Sequence, residues 1–245
     1  MLLRILQAMI LGIVQGATEF IPVSSSAHLI IVPWLFGWTD AALTSLSFDI
    51  ALHVGTLPGG LVGMLAESKI DKLFHTPGTP IRLSAIILMA AIIAVLGLAL
   101  FLAEKLARHT RQMNDLSLKD TAIIGLAQAL AVFPGVSRSG STITAGLALG
   151  LKRDVAARFS FLLSAPIIAG AGVKSLLEVL GSLHSGAITK GDLILFPVGV
   201  IAAAVSGYLC IGFLLRYLQR KSINIFVYYR WALATLLIVV ALIRG

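Results

Sequence analysis

Two stretches of this chain carry no charged residue: Leu83 to Ala103 and Leu193 to Leu215. A helix crosses a hydrocarbon core with about 20 apolar residues, so each stretch is long enough to span a bilayer. Few folds accept such segments. Backbone exposed to lipid finds no water, so it must satisfy its own hydrogen bonds, and a helix does this within one segment. Composition agrees. Of 245 residues 58% are hydrophobic and 12% charged, against roughly 25% charged in soluble domains. The expected fold is an all-α polytopic membrane protein forming a single transmembrane domain over 1–245.

The net charge of +8 does not point to nucleic acid. Basic residues collect in short segments (Lys69, Lys72, Arg82; Lys105, Arg108, Arg111, Lys119; Arg216, Arg220, Lys221), as the positive-inside rule expects of loops. They do not interleave with aromatics as a stacking surface requires. Cys210 is the only cysteine, which excludes an intrachain disulfide framework or a thiolate metal site. Met1-Leu-Leu-Arg4 and the apolar run after it have the outline of a signal peptide. The run flows directly into a polar motif, however, and is read as the first span.

That motif is Gln15-Gly-Ala-Thr-Glu19-Phe-Ile-Pro22-Val-Ser24-Ser25-Ser26-Ala-His28. A second is Gln128-Ala-Leu-Ala-Val-Phe-Pro134-Gly135-Val136-Ser137-Arg138-Ser139-Gly140-Ser141. At one offset of 113, Gln15, Val23, Ser24 and Ser26 fall on Gln128, Val136, Ser137 and Ser139. Around them we expect a helix over about 3–18, a broken segment 19–37, and helices over about 44–66 and 83–104. A polar loop 105–118 leads to a helix over about 119–132 and a second broken segment, 134–151. Spans follow over about 155–180, 192–218 and 225–243. The chain then reads as an approximate internal repeat, 1–104 and 119–218, plus a C-terminal span. Paired interrupted segments in two halves mark a central site in inverted-repeat membrane proteins.

The breaks have local causes. Pro22 lacks an N–H and disfavours helix in the residue before it, and Pro134-Gly135 is a turn dipeptide. A serine cluster, suited to helix N-caps, follows each. Each motif should end one helix and open another, and a helix N-terminus attracts anions. Glu19, a carboxylate among apolar residues, is by default a functional candidate; the alternative is a structural Glu paired with Arg or capping amides. His28 shares a helical face with Ser25 if a helix starts there, and a hydroxyl beside a base is the minimal nucleophile pair. A hydrogen-bonded core histidine is the other reading. Arg138, between Ser137 and Ser139, suits phosphate or pyrophosphate because guanidinium binds two oxygens at once. Ser24 and Ser26 could add hydroxyls, and Gln15 and Gln128 polar support. Asp49 and His53, at i and i+4, could hold a metal but read more naturally as a polar structural pair. Arg158 and Lys174 read as boundary residues. No Walker loop, zinc spacing or dinucleotide fingerprint is present.

These motifs resemble the undecaprenyl-pyrophosphate phosphatase family of the bacitracin-resistance type. Phe48-Asp49-Ile-Ala-Leu-His53-Val-Gly-Thr56 and Arg158-Phe-Ser-Phe-Leu-Leu-Ser-Ala-Pro166 also look like family segments. The resemblance implies an interlocked inverted repeat with two re-entrant helix pairs and an extracytoplasmic site in the bacterial plasma membrane. It implies hydrolysis of C55 polyprenyl pyrophosphate to the monophosphate and phosphate, which recycles the carrier for cell-wall synthesis. Carried to matching positions, Ser25 is the nucleophile with Glu19 and His28 assisting, and Arg138, Ser137 and Ser139 hold phosphate. Phosphohistidine at His28 is the rival intermediate. A divalent cation, magnesium or calcium, with Glu19 as its ligand, is implied too, with no organic cofactor; Gln15 at the first acidic position weakens the metal. Partners are the lipid substrate and the bilayer, with no nucleic acid, and a homodimer is compatible. The chain looks short for the family, with a compact loop at 67–82. A second lipid-phosphatase class, with a nucleophilic His, fits poorly because position 144 is Thr. The reading of another class is a transporter of polyprenyl phosphate without hydrolysis.

Overall fold

The computed structural model describes residues 1–40, 43–44, 83–164, 177 and 192–244. The expected helix 44–66 beyond Thr44, the loop 67–82, Asp49, His53 and Lys174 lie outside them. Among the described residues the helices are α1 (Leu2–Phe20), α2 (Ser25–Phe36), α3 (Leu83–Leu106), α4 (Leu118–Ala129), α5 (Arg138–Ala148), α6 (153–164), α7 (Leu195–Leu218) and α8 (Asn224–Arg244). No strand occurs among these residues; one isolated bridge joins Arg111 to Leu151. Four helices, α1, α3, α7 and α8, are long and apolar enough to cross a membrane. The protein is an all-α, multi-pass membrane protein.

Sequence expectation and structure differ at the breaks. The helix expected to end at 18 continues to Phe20, which puts Glu19 in its last turn. The helix expected over 119–132 tightens into 3-10 geometry over Leu130–Val132 before Pro134. Both breaks are short, and helices restart at Ser25 and Arg138.

The chain interleaves between two compact units. The first holds 1–18, 28–81 and 164–210. Its core gathers Ala8, Leu11, Leu29, Leu43 and Leu195. Here α1 and α7 approach closely at small residues: a Cβ on Gly12 would collide with Gly199 O, and one on Gly16 with Ser206 Oγ and Ala203 O. Such small-xxx-small spacing lets helix backbones meet in lipid, where dispersion replaces the hydrophobic drive.

The second unit holds 19–27, 82–163 and 211–245. Val23, Leu100, Ile143, Leu147, Leu214 and Val227 belong to its core. Between α3 and α8, Trp231 packs at a tilt against Phe101 with ring centroids 5.8 Å apart, and its Nε1 donates to Ala94 O at 3.2 Å. Ser117 caps α4 in a capping box with Asp120. Hydrogen bonds from Arg111 and then from Ser117 hold the Asp120 carboxyl well below the usual carboxylate range.

Both breaks use the same cap. Ser24 and Ser137, equivalent at the offset of 113, have φ of 75° and 63°. Ser24 Oγ accepts from Ala27 N at 3.4 Å and Ser137 Oγ from Gly140 N at 3.0 Å. Each hydroxyl also lies 3.3 Å from the one two residues on, Ser26 and Ser139. A non-glycine residue held in the left-handed region costs about 1–3 kcal/mol, and the cap bond offsets part of that. Ser24→Ala keeps the strain and loses the cap, so it should destabilise by roughly 1 kcal/mol. Ser24→Gly relieves the strain and should be close to neutral. Unfolding midpoints in detergent compare the two; equal losses would mean that the backbone angle carries no cost.

Candidate active site

A carboxylate at residue 19 starts at a disadvantage. It lies in the last turn of α1, where the helix dipole is negative, and it is 5% exposed. Burying a charge needs a partner and hydrogen bonds. Both are present. Ser25 Oγ donates to Glu19 Oε2 at 2.5 Å, and Arg138 Nη2 forms a hydrogen-bonded ion pair with Glu19 Oε1. One carboxylate thus bridges a hydroxyl at the start of α2 and a guanidinium at the start of α5. The sequence separation of 119 between Glu19 and Arg138 is closed by folding, which also joins the two sequence motifs.

A second link runs beside it. Ser139 Oγ donates to Ile21 O at 3.0 Å. A serine has a single O–H to give, so this bond commits Ser139 to the backbone of the first break. Ser24, Ser25, Ser137 and Ser139 are buried, and Ser26 is half-buried. These residues, with Glu19 and Arg138, all belong to the second unit. His28 is buried in α2, one turn beyond Ser25, and falls in the first unit, as does the fully buried Gln15 of α1. Gln128 is buried in α4 of the second unit, and its Oε1 has no hydrogen-bond partner among the described residues.

The sequence reading treated 225–243 as a plain span and passed over Arg230. This side chain is fully buried and, among the described residues, donates to backbone carbonyls alone. The available signal was a charge in the middle of an apolar run, which is a functional hypothesis by default. Thr142 and Ser160 were missed as well; their hydroxyls pair at 2.6 Å between α5 and α6. Two isolated hydroxyls in apolar helices give a sequence no distinctive signal.

Among the described residues, Glu19 is the acidic group that the site offers a cation. Both Glu19 oxygens are engaged, and no group of three or more His, Cys, Asp or Glu able to hold a metal occurs among the described residues.

A hydroxyl–carboxylate–guanidinium chain thus lies inside a multi-pass helical protein. The sequence model described as "Bacitracin resistance protein BacA" matches residues 8–58 and 50–236, and the chain belongs to that family. A relative from Thermomicrobium roseum, named undecaprenyl-diphosphatase, is 43% identical over 282 residues, covering 97% of this chain and 98% of its own. Relatives of the same name from Moorella thermoacetica (41%; 99% and 100% covered) and Pelotomaculum thermopropionicum (40%; 99% and 98%) agree. These alignments are longer than the chain, so the relatives carry residues it lacks. The two family matches overlap at 50–58.

Proposed function

We propose that this protein hydrolyses undecaprenyl pyrophosphate to the monophosphate and phosphate. The observation that carries the reading is the Ser25 hydroxyl donating to a carboxylate that Arg138 engages from its other side. A carrier that only moves lipid phosphate needs anion contacts but no hydroxyl set on a base. Names of the relatives support the lipid substrate. The apolar helices provide surroundings for its tail.

Ser25 Oγ attacks the terminal phosphorus. As the Oγ–P bond forms, the bond to the bridging oxygen breaks and the lipid monophosphate leaves. Glu19 Oε2 takes the Ser25 proton and passes it to the departing phosphate. Water then attacks the phosphoserine, Glu19 takes its proton, and Ser25 Oγ regains one as phosphate departs. Charge stabilisation matters more than covalent help in such a transfer. Arg138 supplies it, since its five N–H donors allow phosphate oxygens to be held beside Glu19. The N-termini of α2 and α5 add aligned amides. We assign Ser24 and Ser137 to shaping those termini, Ser139 to the strut on Ile21, and His28 to support of Ser25 from one turn on. Gln15 and Gln128 are polar support. Phosphatase chemistry is compatible with a divalent cation, for which Glu19 would be the ligand among the described site residues; it would add positive charge beside the phosphates.

Two interrupted helix pairs with matched caps support an inverted repeat. Loop charge supports its orientation: 216–222 is basic and 181–192 carries little positive charge, so the first would face the cytoplasm. The C-terminus would then lie outside; a reaction on the extracytoplasmic side of the plasma membrane is what the family resemblance implies.

The test is phosphate release from a long-chain polyprenyl pyrophosphate by the full chain in detergent. Release of one phosphate per lipid is expected. Lipid that binds but is never cleaved, with or without magnesium or calcium, would sink the reading.

A further inference from the structure

A guanidinium with no exposed surface in the middle of a membrane helix needs a reason. Arg230 on α8 is 0% exposed, and charge at membrane depth is expensive. Its Nε donates to Ile93 O at 3.2 Å, Nη1 to Pro22 O at 2.9 Å and Nη2 to Gly135 O at 3.1 Å. Among the described residues none of its hydrogen bonds goes to a carboxylate. Pro22 and Gly135 are the same position in the two motifs, 113 apart. One planar fork therefore holds the equivalent carbonyl of each break.

Helix ends leave carbonyls without intrahelical partners, so part of this role is simple satisfaction of buried acceptors. That alone does not select arginine. A lysine ammonium is a compact point charge, whereas the guanidinium is a rigid fork able to reach acceptors in two directions. Space has also been left for it. A Cβ added at Gly140, in the first turn of α5, would lie 2.9 Å from Arg230 Nη1 and 2.9 Å from Ser137 Oγ. The fork thus sits against the start of α5, whose first residue is Arg138. Pro22 lies between Glu19 and Ser25 in the chain.

We propose that Arg230 is a positioning residue for the phosphate site. By bridging Pro22 O and Gly135 O, it fixes the turn that delivers Ser25 against the turn that delivers Arg138. The proposal rests on the phosphatase reading for its effect on rate, but not for the bridge itself. A displacement of about 1 Å remote from the chemistry can cost about 100-fold in rate. Without the fork, the described ties between the two serine-capped turns are the Glu19–Arg138 pair and the Ser139–Ile21 bond, both made by side chains that can turn about their own single bonds.

The experiment compares the native chain with Arg230→Lys, Arg230→Met and Gly140→Ala in detergent. It reads kcat, KM and amide hydrogen exchange. For Arg230→Lys, kcat should fall about 100-fold while KM stays within about threefold, because anion binding by Arg138 is retained. Arg230→Met should fall at least as far. Gly140→Ala, with Arg230 present but displaced, should show the same split more weakly. Exchange in segments 22–27 and 135–141 should quicken together by about tenfold, equal to about 1.4 kcal/mol, the scale of a hydrogen bond or two. Segment 98–105 of α3 should stay as in the native chain. A kcat within about twofold of native in Arg230→Met, quickening in one turn only, or equal quickening in α3 would overturn the proposal. If the native chain releases no phosphate, the phosphatase reading fails by itself, and the exchange pattern still decides whether Arg230 couples the turns.

Discussion

Ser25→Ala is expected to lower phosphate release by at least about a thousandfold, roughly 4 kcal/mol of barrier, with little effect on substrate affinity. The hydroxyl is the only group at its position able to form a bond to phosphorus, and it already lies on a base, Glu19 Oε2, at 2.5 Å. The substitution removes one oxygen and leaves the cap untouched, since Ser24 provides it. Arg138 and the helix N-termini keep their hold on the phosphates. The variant should therefore bind polyprenyl pyrophosphate at native affinity and fail to cleave it. Some release should survive, because a prearranged electrostatic site still accelerates attack by water. Steady-state kcat, a binding measurement, and trapping of a phosphorylated chain from the native protein check this together. If Ser25→Ala keeps more than about a tenth of the native rate, and a phosphorylated histidine is trapped instead, the nucleophile is His28.

Arg138→Ala should affect both rate and stability. An arginine on a transferring phosphoryl group is worth about 10³–10⁵ in kcat, and a loss in that range is expected. The same change leaves Glu19, 5% exposed, without its ion-pair partner. Removing one member of a buried pair costs about 3–5 kcal/mol, so the unfolding midpoint should drop sharply. Adding Glu19→Gln separates the two effects. A neutral amide can sit in the site without a counter-charge, so the double variant should recover much of its stability. It should recover none of its activity, having lost both the base and the guanidinium. A double variant as unstable as Arg138→Ala would show that Arg138 holds the fold by contacts other than Glu19. Recovered activity would remove both residues from the chemistry proposed.

Hydropathy made the spans legible, because lipid imposes length and polarity on each segment independently of the rest of the fold. The C-terminal span, expected at 225–243, is α8, Asn224–Arg244. Serine caps and the Pro22 and Pro134-Gly135 breaks were legible for a local reason: each is chemistry within four residues. The pairing of Glu19 with an arginine was foreseen only as one alternative. No local rule says which arginine arrives, because the contact is tertiary. Arg230 was missed since hydropathy averaging hides one charge in a span, 225–243, that is otherwise hydrophobic except for Thr235, and its acceptors are backbone carbonyls that no side-chain pattern reveals. The family resemblance implies a phosphate-holding role for Ser139. Its bond to Ile21 O depends on where another segment ends.

The break at Pro22 also acts as a ruler. In an unbroken helix, residues 19 and 25 would be separated by about 9 Å along the axis and turned about 120° from each other. They could not share a proton. The short non-helical turn cancels both the rise and the rotation, so a separation of six becomes a 2.5 Å contact. The number of residues between Glu19 and Ser25 is thereby as much a part of the site as their identities. One residue added to or taken from this turn would leave every functional group present in the chain and the proton with nowhere to go.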